Sequence, residues 1–417
     1  MKSLSLAFIT LFICSSGYAQ NNAIIKQRTA EFISYFNAEK ADSLYILLAD
    51  KIKSELPLTT LGSAIQQLKA AHGNLSNSEY FGTQQGINVY IAMFEKPGLV
   101  LHINFDKTNQ VIGFFTMADQ RELSGSVTIK TATATLKGTI SVPEVTRPVP
   151  VVLLIAGSGP TDRDGNSLLI NGKSNYFQQL SDSLKLKNIA VLRYDKRGVG
   201  QSTTSKALAD VTFEDMVDDA GAIIKMLKTD KRFSKVIVAG HSEGSLVGML
   251  AAEREKADAF ISLSGSGTSA DVILKTQLKA GVSPADYRKA TSIIDSIKMG
   301  NFTKQKMEGG FNSLFNSAVQ PYLYSWMKYD PKQVISKLNV PVLIIQGAND
   351  IQVSVDNAHA LKKAAPNAVL ELIPEMSHIL KKAPIDKQQN MATYTMPDLP
   401  LHPQLIQTMT QFIYGLN

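Results

Sequence analysis

The sequence predicts two domains, a small α+β unit followed by a doubly wound α/β unit on a mostly parallel sheet. Three observations carry that expectation. Helical patterns followed by period-two runs fill residues 20–120. From about residue 125, apolar strand runs alternate with helical stretches, and near-continuous Val/Ile/Leu runs are what a parallel strand buried on both faces requires. The length of 417 residues suits two domains rather than one. A composition of 44% hydrophobic and 19% charged residues excludes a disordered chain.

The chain opens MKSLSLAFITLFICSSGYAQ. Lys2 supplies a positive start, residues 4–13 a mostly apolar run, and Gly17 and Ala19 the small residues a signal peptidase needs. A run of about ten residues is too short to span a bilayer. Cleavage after Ala19 is expected, so residues 1–19 read as a signal peptide and the product as exported, periplasmic or extracellular. A buried N-terminal helix is the alternative. Cys14 is the chain's one cysteine, and Ile13 before it is too bulky for a lipoprotein signal. The mature chain then carries neither a disulfide nor a reactive thiol. No later stretch is long and apolar enough to cross a membrane. The formal charge of +7 comes from scattered lysines, so no nucleic-acid partner is expected.

In the first domain Ile25, Phe32, Ile33 and Phe36 recur at helical spacing, and two more short helical patterns follow to about Ala71. Strand runs come next: INVYIAMF at 87–94, LVLHINF at 99–105 and VIGFF at 111–115. Helices before a strand meander resemble the cone-shaped fold of the nuclear transport factor 2 type.

In the second domain, 125–417, SVTIKTATATLKGTISVP reads as two antiparallel strands. Six apolar runs follow, at 149–157, 189–195, 236–240, 259–265, 340–347 and 368–374. The helix between the second and third is marked by a capping-box pair, Thr212 and Asp215, and by one apolar stripe through Phe213, Met216, Val217, Ala220, Ile224 and Leu227. Residues 268–335 break the alternation with amphipathic helical sequence. An insertion there suggests a cap over the strand ends, where such sheets bind ligands.

The stretch VIVAGHSEGSLVGMLAA, 236–252, contains the chain's one G-x-S-x-G. A strand precedes it and a helix follows it. That context reads as a nucleophile elbow, in which the serine, Ser242, projects from the sheet at positive φ. Glycines stand two residues either side because a Cβ there would collide across the tight turn. A serine hydroxyl needs a base, and the base needs an orienting carboxylate. On this topology the order is serine, acid, histidine. Asp350 follows the strand run VPVLIIQG, and His378 follows AVLELIP. His241, His359 and His402 are left with structural roles. The tetrahedral intermediate needs two backbone donors, read here as the N–H groups of Glu243 and Ser158. The latter lies in GSGPTDRDGN, where Asp162, Arg163 and Asp164 either shape the loop by ion pairing or form a plain turn.

AGSGPTDRDGN, RYDKRGVGQS at 193–202, GHSEG, NVPVLIIQGANDIQV and PEMSH, in this order, resemble the α/β-hydrolase superfamily. Within it they are similar to a group of bacterial serine esterases with a small N-terminal domain and a helical cap, with dienelactone-hydrolase and serine-aminopeptidase-like relatives. The resemblance implies carboxylesterase activity on short-chain acyl esters, with no cofactor or metal. Arg193, Lys196 and Arg197 with two glycines are read as a glycine-bent connector rather than a phosphate loop, since no G-K-[ST] follows. Tyr322, Tyr324 and Trp326 in the cap either line an acyl pocket or form cap core. A serine peptidase of the same fold, or a binding protein that has lost catalysis, are the alternatives.

Overall fold

The computed structural model describes residues 23–416 apart from 85–86, 97, 119–124, 168, 171, 280 and 304–309. The expected signal peptide lies outside the described residues. The chain divides into two compact units, Met1–Arg121 and Glu122–Asn417.

In the first unit four helices, α1 (Ala23–Asn37), α2 (Ala41–Ile46), α3 (Asp50–Glu55) and α4 (Leu58–His72), precede four strands, β1 (Leu75–Gln84), β2 (Ile87–Phe94), β3 (Leu99–Phe105) and β4 (Val111–Ala118). The strands form an antiparallel meander in chain order. Phe32, Phe36 and Leu61 from the helices pack with Tyr90, Leu101, Ile103 and Phe105 from the sheet. Three helices follow α1, where the periodicity predicts two. Strand β1, LSNSEYFGTQ, has no apolar alternation to announce it. It forms because β2 offers it an edge, with Tyr80 opposite Tyr90.

The second unit begins with β5 (Ser126–Lys130), β6 (Ala134–Ser141), β7 (Val149–Ile155), α5 (Tyr176–Lys185), β8 (Ala190–Tyr194) and the short β9 (Thr203–Thr204). Next come α6 (Phe213–Thr229), β10 (Phe233–His241), α7 (Glu243–Glu255) and β11 (Ala259–Leu263). The insertion holds α8 (Ala270–Lys279), α9 (Pro284–Lys298), α10 (Gly310–Phe315), α11 (Gln320–Met327) and α12 (Pro331–Ile335). The chain closes with β12 (Val342–Gly347), α13 (Val355–Ala364), β13 (Val369–Ile373), α14 (Lys387–Ala392) and α15 (Pro403–Tyr414).

The sheet order is β13-β12-β11-β10-β7-β8-β6-β5, with β9 paired to β6. The pairings from β13 to β8 are parallel, and those of β6 with β8, β5 and β9 antiparallel. Alternate side chains of β7 enter two different cores, as the strand's period of two demands. Val151, Leu153 and Ile155 pack with Phe213, Leu246 and Leu361 of α6, α7 and α13. Val152 and Leu154 pack with Phe177, Leu405 and Met409 of α5 and α15. Helices thus cover both faces. The cap of α6 forms as read: the Thr212 N–H donates to the Asp215 carboxylate at 2.9 Å.

Candidate active site

Ser242 sits between β10 and α7 at φ 55°, ψ −122°. Its own N–H donates to the Leu263 carbonyl at 2.9 Å, tying the turn to the end of β11. The flanking glycines are required sterically. A Cβ on Gly240 would lie 2.1 Å from the Gly244 carbonyl oxygen, and one on Gly244 would lie 2.4 Å from that of Ile155. With no room for a Cβ on either side, the turn lifts residue 242 off the sheet. Glu243 is the first residue of α7, so its N–H is one of those a helix leaves without an intrahelical acceptor.

Asp350 and His378 lie in the loops that follow β12 and β13. The His378 Nδ1–H donates to Asp350 Oδ2 at 2.8 Å. The Asp350 side chain is fully buried and that of His378 nearly so. Asp350 also accepts from Gln346 Nε2 at 3.0 Å and from the backbone N–H groups of Gln352 and Val353 at 2.8 and 2.9 Å. Burial pushes the Asp350 carboxyl up, but His378 and the two backbone donors outweigh it and hold the group below its ordinary value. The carboxylate is therefore ionised, and it fixes the imidazole with Nε2 free of Asp350.

Ser242 and His378 line one cavity of about 170 Å³, together with Gly157, Ser158, Asn166, Tyr176, His241, Gln352 and Tyr394. Ser158, read as an oxyanion donor, is thus brought to the same cavity as the elbow. The cap aromatics are not. Tyr322, Tyr324 and Trp326 are absent from the cavity wall and form cap core instead. Trp326 stacks on Phe213 at 10° between ring planes, Tyr322 meets the same ring edge-on, and Tyr324 packs on Phe302. Helical spacing groups these residues without saying what the group packs against, and α6 supplies the partner.

The remaining histidines take structural positions. His359 lies in α13 and His402 precedes α15. His241 is buried, and its Nε2–H donates to the His378 carbonyl at 2.8 Å. That bond leaves Nδ1 as the acceptor for the Tyr176 hydroxyl at 3.3 Å. Burial, with the neighbouring His378, brings the His241 imidazole down to about 3, so it stays neutral. Its work is to hold the His378 loop. The spacing next to Ser242 does not disclose this, because the partner lies 137 residues away.

The acidic loop is shaped by ion pairs. Arg163 Nη2 donates to Asp195 Oδ2 at 2.6 Å, and Arg193 pairs with Asp164. Asp162 accepts from the N–H groups of Asp164 and Asn166, closing the turn. The connector 193–202 holds more than a bend. Its Lys196 is buried and donates to the Gly157 carbonyl at 2.7 Å, with Glu243 Oε1 at 3.8 Å. Tyr322 Oη donates to that same carboxylate oxygen at 2.8 Å. Burial pulls Lys196 down and pushes Glu243 up, and the attraction between them opposes both shifts. Arg197 is buried against Asp215 and Asp219 at 3.0 and 2.7 Å.

Residues 170–282, which include Ser242, match the family of serine aminopeptidases S33, and residues 29–114 match a family of proteins of unknown function, DUF3887. The esterase EstD of Thermotoga maritima is 25% identical over 368 residues, covering 84% of this chain and 86% of its own. Among solved structures, Est1E from Butyrivibrio proteoclasticus with ferulic acid bound is 19% identical, with a TM-score of 0.47 over 69% of this chain and all of its own. The Pyrococcus furiosus esterase Pf2001 is 15% identical, with a TM-score of 0.44 over 70% of this chain and 91% of its own. The strand order, with the elbow at the end of the central strand β10, and the sequence matches agree: the chain has the fold of α/β hydrolases, is similar to an esterase over most of its length, and carries a small N-terminal α+β domain.

Proposed function

We propose that this protein is an exported carboxylesterase that cleaves short-chain acyl esters through an acyl-enzyme on Ser242. His378 takes the serine proton as base and returns it to the departing alcohol, and Asp350 orients the imidazole and stabilises its charged form. The N–H groups of Glu243 and Ser158 receive the oxyanion. The observation that carries this reading is the buried Asp350–His378 pair, 2.8 Å long, whose imidazole lines the same cavity as a serine held at positive φ. The cavity's small volume suits an acyl group of a few carbons. Export rests on the charged start, apolar run and small residues of 1–19.

The S33 family match favours a second reading, an aminopeptidase. Among the described residues, none lining the cavity is Asp or Glu, so nothing there pairs with a substrate's free ammonium. An amide also leaves less readily than an alcohol and demands better-placed protonation.

The test is kcat/KM across acetyl, butyryl, octanoyl and palmitoyl p-nitrophenyl esters beside alanine and proline anilides, with Ser242→Ala as control. A maximum at four carbons or fewer is expected, and the substitution should lower kcat by about 10⁴-fold or more with the fold intact. A higher value for either anilide moves the protein to the peptidase reading. A folded Ser242→Ala variant within tenfold of the parent removes Ser242 as nucleophile.

A further inference from the structure

We propose that Lys196 is a positioning residue for the oxyanion hole: its buried ammonium holds the Gly157 carbonyl so that the N–H of the same peptide unit, that of Ser158, is aimed at the reacting oxygen. The inference rests on the esterase reading above and adds a residue to it.

A peptide unit is planar and trans, so its C=O and N–H point in opposite directions. The bond joining Gly157 to Ser158 is such a unit, since no cis peptide occurs among the described residues. Lys196 Nζ donates to the Gly157 oxygen at 2.7 Å from a buried position. Fixing that oxygen fixes the direction of the Ser158 N–H. The unit stands against the nucleophile, because a Cβ on Gly157 would lie 3.0 Å from Ser242 Cβ. Both residues of the unit line the cavity that Ser242 lines. The loop needs such a hold. Ser158 and Gly159 are exposed, and Gly159 takes φ +77°, a conformation that invites rotation of neighbouring peptide units.

The choice of lysine follows from its chemistry. A charged donor to a carbonyl makes a stronger bond than a neutral one, and it polarises the peptide so that the N–H becomes a better donor. Glu243 lies 3.8 Å from the ammonium and compensates its charge. Tyr322 in turn donates to Glu243 at 2.8 Å. The carboxylate neutralises the ammonium, and the hold on the Gly157 carbonyl is the lysine's.

The experiment compares Lys196→Met and Lys196→Arg with the parent enzyme, using Tyr322→Phe as a control that spares the lysine–carbonyl bond. Labelling of Ser242 by a fluorophosphonate, read by mass spectrometry in the parent enzyme, tests the esterase reading separately. Thermal unfolding selects the variants that fold. For p-nitrophenyl butyrate, Lys196→Met is expected to lower kcat by roughly 10- to 100-fold with KM within about threefold, since an oxyanion donor acts in the transition state. Affinity for butylboronic acid, whose tetrahedral adduct mimics that state, should fall by the same factor. Lys196→Arg retains a charged donor and should recover most of the loss, and Tyr322→Phe should stay within threefold of the parent. A folded Lys196→Met variant with kcat and boronate affinity both within threefold overturns the inference while leaving the esterase reading in place. A loss confined to KM, or an equal loss in Tyr322→Phe, overturns it as well. If the arginine variant does not fold, the kcat and boronate values of Lys196→Met decide alone. If the methionine variant does not fold, Lys196→Gln takes its place with the same criteria. Absence of the label on Ser242 instead rejects the reading on which the inference rests.

Discussion

The elbow and the cap are held by opposite means. Around Ser242 the backbone itself is the constraint: carbonyls come so close to Gly240 and Gly244 that no Cβ fits, and hydrogen bonds fix the loops that carry Asp350 and His378. The cap is held by side chains. Trp326, Tyr322 and Tyr329 surround Phe213, the Ser325 hydroxyl accepts from the Phe213 N–H at 2.8 Å, and Tyr329 Oη donates to Glu214 at 3.1 Å. The difference teaches where sensitivity should lie. Changes at the elbow and its histidine loop should act on turnover, and changes in the cap should act on stability.

The largest expected effect is at Asp350. Asp350→Asn leaves the shape but turns the imidazole to the wrong tautomer, and kcat should fall by about 10⁴-fold. Unfolding by urea should shift far less than activity does. A loss below tenfold would mean that His378 does not depend on this carboxylate and would erase the contrast with the cap. At the cap, Trp326→Ala removes the ring stacked on Phe213 and should cost about 3 kcal/mol of stability. Activity of the folded fraction toward p-nitrophenyl acetate should stay within tenfold, measured well below the midpoint of unfolding. A collapse of kcat without a loss of stability would place Trp326 in the chemistry after all.

The smallest effect sharpens the elbow side. His241 is held down to about 3 when folded, against about 6.5 when unfolded. Its folded value is the lower one, so the unfolded state binds the extra proton. Stability is unaffected above about 6.5 and declines as pH falls from there toward 3. In His241→Asn this component is absent, so Tm between pH 7 and 4.5 should fall less steeply than in the parent. Parallel slopes for the two proteins would show that His241 titrates normally in the folded chain.

The six parallel strands were legible because burial on both faces writes them as Val/Ile/Leu runs, and each forms within a few residues of its run. The elbow was legible because sterics demand glycine at two fixed positions. Asp350 and His378 could be found from chain order, since both stand in loops at the same edge of the sheet. Strand β1 was not legible, because its reason to be extended is a partner strand and not its own side chains. Lys196 and His241 were visible as residue types, but their partners, Gly157 and the His378 carbonyl, are brought near only by the fold. The cap aromatics show the same limit: spacing identifies a face, and only packing shows that the face meets Phe213.

The insertion leaves the sheet after β11 and returns at β12, and these two strands are direct neighbours, with Phe260 opposite Val342 and Leu263 opposite Ile345. Ser264 then donates to Ile345 at 2.9 Å, so pairing resumes at the point of departure. The ladder does not depend on how much chain lies between its two rails. Closing a longer loop costs entropy only logarithmically, about 0.6 kcal/mol for each doubling of its length. A change in the insertion's length therefore costs the seam little entropy, because the register of β11 on β12 is set by the ladder and not by the chain that joins them.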